Sequence, residues 1–184
     1  MPLVRATMEC QRALHPGPSG LRAYDTESRT FSRSIGRGLY SLLSYRKDEV
    51  IADFIGVYRT KAEHNQLCIR QPQRKGYAVA YTNDIVLDCF DHFTMGLDVA
   101  SLSNCPRGCF NTATHAKAVS NAYLSIHHSI DDINARRVCL KAGTTRNGGR
   151  ACPRQFFIPA GTEILWDYND KDYDYERPPY HPIS

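Results

Sequence analysis

The sequence predicts a mainly β domain with short helices, its strands gathered into several small sheets. Three observations lead there. The apolar runs are short and several alternate with polar positions; glycine, proline and asparagine punctuate them at close intervals; and one stretch alone, around Thr60 to His64, reads as helix. A chain of 184 residues with 42% hydrophobic and 23% charged side chains is long enough to bury one core, which the small sheets are expected to share.

Taken in order, residues 1–30 mix the turn cluster Pro16-Gly17-Pro18-Ser19-Gly20 with short apolar pieces and read as an irregular N-terminal segment holding one strand. Phe31 to Tyr45 and Val50 to Gly56 read as two strands around the charged turn Arg46-Lys47-Asp48-Glu49. After the helical stretch, Gly76 to Tyr81 alternates before Thr82-Asn83-Asp84 and Ile85 to Cys89, the pattern of a second hairpin. Ala122 to Ile126 and Arg137 to Leu140 are two further strands. A Gly- and Arg-rich excursion from Thr144 to Cys152 precedes Gln155 to Ile158, and Ala160 to Asn169 closes the ordered part. The tail, residues 170–184, is rich in Tyr, Asp and Pro and is expected to lie extended. No internal repeat occurs.

Composition excludes several classes. A net charge of +4 with 10% aromatics fits neither a disordered acidic chain nor a strongly basic nucleic-acid arm. Charges interrupt every apolar run before it reaches the roughly 18 residues of a membrane helix. The first thirty residues lack the pattern of a secretory signal and no Asn-x-Ser/Thr acceptor occurs, so the expected compartment is intracellular. Seven scattered cysteines form no obvious disulfide framework and are expected to be reduced. Charge is uneven: residues 1–162 carry a net +8, whereas residues 163–184 set Lys171 and Arg177 against Glu163, Asp167, Asp170, Asp172, Asp174 and Glu176.

Several motifs invite chemistry and most decline it. Gly36-Arg37-Gly38 suggests a dinucleotide loop, but Gly-x-Gly-x-x-Gly needs glycine where Ser41 stands, and β-rich sequence follows instead of a helix. Two nearby glycines still permit close backbone approach to a ligand, or a turn between strands. Cys105, Cys109 and His115 lack the Cys-x2-Cys spacing of a zinc site, and no metal is expected. Cys105 with His115, His127-His128 or Asp131-Asp132 could be drawn as a thiol or paired-carboxylate centre, but no spacing supports either.

The combination is more informative. Gly36-Arg37-Gly38-Leu39-Tyr40, Asp53-Phe54-Ile55-Gly56, Tyr77 leading into Leu87-Asp88, Val99 to Asn104-Cys105, Ser120-Asn121-Ala122 and Ile158 to Tyr168-Asn169 follow in a fixed order. In that order they resemble the SET-domain protein-lysine methyltransferases over roughly residues 31 to 175. The most specific part is Gly161-Thr162-Glu163-Ile164-Leu165-Trp166-Asp167-Tyr168, which is similar to the family's Gly-Glu-Glu-Leu-x-x-Asp-Tyr ending. The resemblance implies a SET-domain-like β-clip of several small sheets with a C-terminal pseudoknot, formed where part of the C-terminal segment threads under a preceding loop. Residues 31–169 would be the SET-like catalytic domain, with an insertion near 106–119 and an acidic aromatic tail after it. It further implies S-adenosyl-L-methionine as cofactor. Gly36, Arg37 and Gly38 would lie against it, Tyr77 would help wall its pocket, and Asn104 and Cys105 would stand at the motif that holds it. Tyr168 would be the catalytic tyrosine at the methyl-transfer centre. The chain departs from the family in having Cys105 where the family has His, Pro106 without a backbone donor, the insertion, Phe54 where many members have Tyr, and no cysteine after Cys152. The tail aromatics Tyr173, Tyr175 and Tyr180 would cover the substrate channel instead.

Methyl transfer to lysine needs a neutral amine, and deprotonating a free lysine at pH 7 costs roughly 4.6 kcal/mol. An apolar channel beside a cation lowers that cost through desolvation and like-charge repulsion, so no dedicated base is required. The expected partner is a basic protein or peptide with a target lysine, such as a histone tail, drawn by the acidic terminus; a histone substrate would put the protein in the nucleus. The alternative is a non-catalytic SET-like module that binds a basic peptide or partner protein, motivated by Cys105-Pro106. A third reading uses the Arg-rich body (Arg136-Arg137, Arg146 to Arg154) for nucleic acid. The aromatic–basic interleaving of a known RNA fold is missing, so direct nucleic-acid binding is not expected.

Overall fold

The computed structural model describes residues 13–25, 30–34, 36–104, 120–127, 136–143, 156–166, 168 and 174–175. Among them thirteen short strands form five small sheets, with two short α-helices, so the chain is mainly β as its sequence predicts. The N-terminal segment supplies β1 (Leu14–Pro18) and β2 (Arg22–Asp25), where one strand was expected. β1 pairs antiparallel with β4 (Arg37–Ser41), setting Gly17 opposite Gly38, and β2 pairs with β3 (Thr30–Ser34).

The two strands around the charged turn do not pair with each other. β5 (Tyr45–Arg46) joins β12 (Phe157–Ile158), whereas β6 (Val50–Asp53) joins β11 (Arg137–Ala142). The turn's backbone donors decide this. Lys47 N–H donates to Phe156 O at 3.1 Å and Asp48 N–H to Ala142 O at 2.8 Å, so the turn is bonded outward to two other strands. Asp48 sits at φ 65°, and Glu49 accepts from Arg46 N–H at 2.7 Å, which closes the turn locally.

In a three-stranded sheet the central β9 (Ile85–Asp88) pairs with β7 (Val57–Thr60), which the sequence does not mark as a strand, on one side and with β8 (Ala78–Ala80) on the other. The β8–β9 pair is the expected second hairpin; its first strand starts late because Pro72–Tyr77 form a 3-10 turn. Helix α1 runs Lys61–Arg70, longer than the stretch its sequence suggested. A capping box starts it: Thr60 Oγ1 accepts from Glu63 N–H at 3.2 Å and Glu63 accepts from Thr60 N–H at 2.8 Å. A second helix, α2 (Phe90–Thr94), follows β9 without a sequence signal strong enough to announce it.

β10 (Ala122–His127) and β11, both expected as strands, pair antiparallel, and they build the largest sheet with β6 and β13 (Asp174–Tyr175), which runs parallel to β10. Leu39, Ile51, Ile126, Val138, Leu140, Ile158 and Ile164 are almost wholly buried and come from six chain segments, so one core unites the sheets. Each such side chain contributes about 1.5–3 kcal/mol of transfer free energy. None of the described helices is long and apolar enough to cross a membrane.

The C-terminal segment is held by two distant parts of the chain at once. Ile164 N–H donates to Leu39 O at 2.7 Å on the β4 side. On the opposite side Trp166 N–H donates to Asn104 O at 3.0 Å, and Asn121 N–H and Ala122 N–H converge on Leu165 O at 2.9 and 3.0 Å. Residues 163–166 therefore pass between β4 and the two ends of the 105–119 stretch. The insertion itself lies outside the described residues, as do most of the tail and the excursion from Thr144 to Cys152.

Candidate functional site

The crossing of chain segments gathers the site. Asn104 Nδ2 donates to Arg37 O at 2.9 Å and to Glu163 Oε1 at 3.1 Å, so the motif asparagine ties the Gly36-Arg37-Gly38 strand to the C-terminal segment. Glu163, which the sequence reading quoted without a role, is the centre of this knot. Its carboxylate also accepts from Ser19 Oγ at 2.6 Å and Gly20 N–H at 2.9 Å. Tyr40 stands 3.4 Å away, and burial, together with that carboxylate, raises its phenol above the ordinary value.

Gly38 is buried against this carboxylate. A Cβ there would meet Glu163 Oε1 and stand 2.9 Å from Glu163 Cδ and 3.3 Å from Asn104 Nδ2. Gly36 differs: at φ 108° it occupies backbone space that L side chains avoid, and no heavy atom lies within 4 Å of its missing Cβ. Arg37 between them is exposed. Of the two glycines, one is packed inside the protein and the other faces open space.

Tyr77 and Tyr168 meet at a cavity of about 310 Å³, at the small end of ligand sites, whose walls also include Phe54, Trp166, Ser103 and Lys75. Each wall has a local cause. Phe54 follows β6 and is fixed by Phe54 N–H donating to Val138 O at 2.9 Å. Tyr77 ends the 3-10 turn, held by Cys89 N–H on its carbonyl at 2.8 Å and by stacking on Phe93 at 4.4 Å. Trp166 donates its indole N–H to Ser103 Oγ at 3.0 Å and packs edge-on to Phe54. Tyr168, half-exposed, donates its hydroxyl to Ser103 O at 2.5 Å with its ring 4.7 Å from that of Trp166.

The structure thus brings Arg37, Gly38 and Asn104 into one cluster and Tyr77 and Tyr168 into one cavity, with Ser103-Asn104 and Glu163 to Tyr168 joining the two. Cys105 lies outside the described residues, as do Cys109, His115, His128, Asp131, Asp132, Tyr173 and Tyr180. Glu163, Trp166, Ser103 and Phe54 are the site members sequence reasoning gave no role. Glu163 and Trp166 were inside the most specific motif, but only the fold shows what they face.

No family model matches the chain, and no curated protein matches it in sequence. Solved structures do match. Polycomb Repressive Complex 2 of Chaetomium thermophilum, in an autoinhibited conformation bound to S-adenosylmethionine, aligns over 89% of this chain with TM-score 0.54 and 15% identity. The same complex with H3K27me3 aligns over 86% with TM-score 0.54 and 15% identity. SET8 from Cryptosporidium aligns over 81% with TM-score 0.50 and 16% identity. The chain spans 16% and 15% of the length of the two Polycomb chains and 56% of SET8. Likeness at this level of identity speaks to architecture, and the architecture it shows for this chain is the SET-domain-like fold.

Proposed function

We propose that the chain is an S-adenosylmethionine-dependent protein-lysine N-methyltransferase acting on a basic protein tail such as a histone. The observation that carries this reading is the aromatic cavity of Phe54, Tyr77, Trp166 and Tyr168, whose walls include the two segments that also bear Asn104 and Glu163. The cofactor and the H3K27me3 bound by the Polycomb neighbours support the same assignment.

The chemistry of the groups present supports a cofactor here. Gly36 faces open space, Arg37 is an exposed guanidinium suited to a carboxylate, and both amide hydrogens of Asn104 are engaged by Arg37 O and Glu163, which leaves Asn104 Oδ1 to accept from an ammonium. These groups would hold an amino-acid moiety. Bound there, S-adenosylmethionine supplies an electrophilic methyl on a sulfonium. The remaining work falls to the cavity. Its aromatic faces attract an incoming ammonium by cation–π contact, and its apolar walls, with Lys75 at the lining, favour the neutral amine by desolvation and like-charge repulsion. Tyr168, held at the cavity wall by the bond from its hydroxyl to Ser103 O, orients the nitrogen there.

Calorimetric titration with S-adenosylmethionine and its demethylated product, with Asn104→Ala as control, tests the pocket. Micromolar binding lost in the control is expected. Methyl transfer to histone and basic-peptide panels then tests the chemistry, where Tyr168→Phe should lower kcat by about tenfold or more with KM little changed. No binding at millimolar cofactor, with tight binding of a basic peptide, selects the alternative of a non-catalytic SET-like module; the closure of Gly38 on Glu163 is the observation that favours it.

A further inference from the structure

Away from the cavity, one face of α1 carries a second constellation. His64 and Cys68 lie four residues apart on the helix, and Cys68 Sγ stands 3.3 Å from His64 Nε2. The other ring nitrogen, Nδ1, is 3.2 Å from Asp88 Oδ2 at the end of β9. A carboxylate only accepts, so the proton of the neutral ring sits on Nδ1 and Nε2 presents its lone pair to the thiol. Nucleophile, base and orienting carboxylate follow in the order that activates a cysteine.

The carboxylate is firmly ionised. Burial alone would raise the Asp88 carboxyl, but hydrogen bonds from Arg74, His64 and Phe90 N–H bring it below the ordinary value. Arg74 Nη1 lies 2.9 Å and Arg59 Nε 3.3 Å from Asp88 Oδ2, and Asp91 accepts from Arg74 Nη2 at 2.7 Å. An imidazolium formed at His64 would thus face an anion at Nδ1. The thiol's position completes the set: Cys68 is half-buried, whereas Cys89 and Cys139 are buried, and burial pushes the Cys139 thiol up to about 11.

We propose that Cys68, with His64 and Asp88, is an oxidisable thiol site whose co-reactant is a small peroxide. Cys68 is only half-buried, and its partial cover favours a small electrophile. A peroxide is also the class for which the His64 proton has work to do. The thiol proton passes to His64 Nε2. The sulfur lone pair attacks one peroxide oxygen, an S–O bond forms and the O–O bond breaks. The leaving hydroxide takes the proton back from Nε2 as water, so sulfur is oxidised by two electrons to sulfenic acid while the peroxide is reduced. The site stands independently of what the cavity binds.

The test uses the full chain exposed to hydrogen peroxide with dimedone as sulfenic-acid trap, read by peptide-resolved mass spectrometry. Cys68 should form the adduct about tenfold or more faster than Cys89, Cys139 and the isolated peptide of residues 61–70. His64→Gln should bring the rate down to that of the peptide while Arg74 and Arg59 still neutralise Asp88. Oxidation of Cys68 at or below the peptide rate overturns the proposal, and so does an unchanged rate in a folded His64→Gln protein. Should that variant not fold, the comparison of wild type with the peptide decides alone.

Discussion

Gly38→Ala isolates the contact on which the candidate site is built. Gly38 has an ordinary φ, so alanine meets no backbone strain, and any cost is steric. The new methyl would overlap Glu163 Oε1 and stand 2.9 Å from its Cδ and 3.3 Å from Asn104 Nδ2. The carboxylate is the far end of a flexible side chain, which would normally yield. Here it is pinned by Ser19 Oγ, Gly20 N–H and Asn104 Nδ2 at 2.6, 2.9 and 3.1 Å. Keeping those bonds costs about 1–3 kcal/mol of overpacking. Releasing them forfeits charge-assisted hydrogen bonds of about 1.5–3 kcal/mol each, partly recovered from water because Glu163 is only half-buried. The cheaper route bounds the cost, so a loss of about 1–3 kcal/mol is expected. With Glu163→Ala in place the obstruction is gone, and the same glycine-to-alanine change should cost less than about 1 kcal/mol or stabilise the strand. Urea unfolding of the four proteins measures the coupling, expected near 2 kcal/mol. Equal costs of Gly38→Ala in both backgrounds would refute the claim that the carboxylate fills the glycine's missing side chain.

Thr60→Ala removes the side-chain half of the α1 capping box and should lower stability by about 1 kcal/mol without altering cofactor titration; a change under about 0.3 kcal/mol would mean the cap is not formed in solution. Asp88→Asn should be more costly, about 1.5–3 kcal/mol at neutral pH, because the buried Arg74 then keeps only Asp91 as a carboxylate partner. Asp88 also predicts a pH dependence. Its carboxyl titrates below the ordinary value in the folded protein, so its contribution is complete above the unfolded value of about 3.9 and is lost as the pH falls below it. Asp98, raised by burial, acts with the opposite sign, so the informative quantity is the difference between variant and parent. That difference should shrink as the pH drops from 5 towards 2, and a constant difference would remove Asp88 from the acid limb.

Local alternation carried the parts of the fold in which neighbours in sequence pair with each other. The β8–β9 hairpin follows directly from Gly76 to Tyr81 and Ile85 to Cys89, and the strands β10 and β11, though not their pairing, from Ala122 to Ile126 and Arg137 to Leu140. The same reasoning fails for the strands around residues 46–49. Their alternation was right, but which strand each one meets depends on Phe156 and Ala142, about one hundred residues further along the chain. β7 was missed because Val57-Tyr58-Arg59-Thr60 is short and half-exposed, and becomes a strand only by pairing with β9. α1 was readable at its start, where Thr60 and Glu63 make the cap, and not at its end, where no glycine or proline directly follows Arg70.

Site residues divide along the same line. Gly36, Gly38, Asn104, Tyr77 and Tyr168 came from an ordered set of motifs, and the structure draws Gly38 and Asn104 into one cluster and Tyr77 and Tyr168 into one cavity because the C-terminal segment crosses between β4 and the stretches bearing Asn104 and Asn121. What the motifs could not convey is which groups satisfy one another inside the crossing. Glu163 is a single acidic residue in a locally acidic terminus, so by composition it belongs with the solvated charges around it. Its three close donors come from Ser19, Gly20 and Asn104, and no local window joins 19–20, 104 and 163. His64 and Cys68 are four residues apart and could be paired on a helix by spacing, yet the feature that gives the pair direction is Asp88 on another element, through the hydrogen bond that fixes the imidazole tautomer. In both cases a carboxylate supplied from a distance turns ordinary polar residues into an oriented set. A buried or half-buried acid with three or more donors is therefore the signal to search for in a fold whose sequence motifs are degraded.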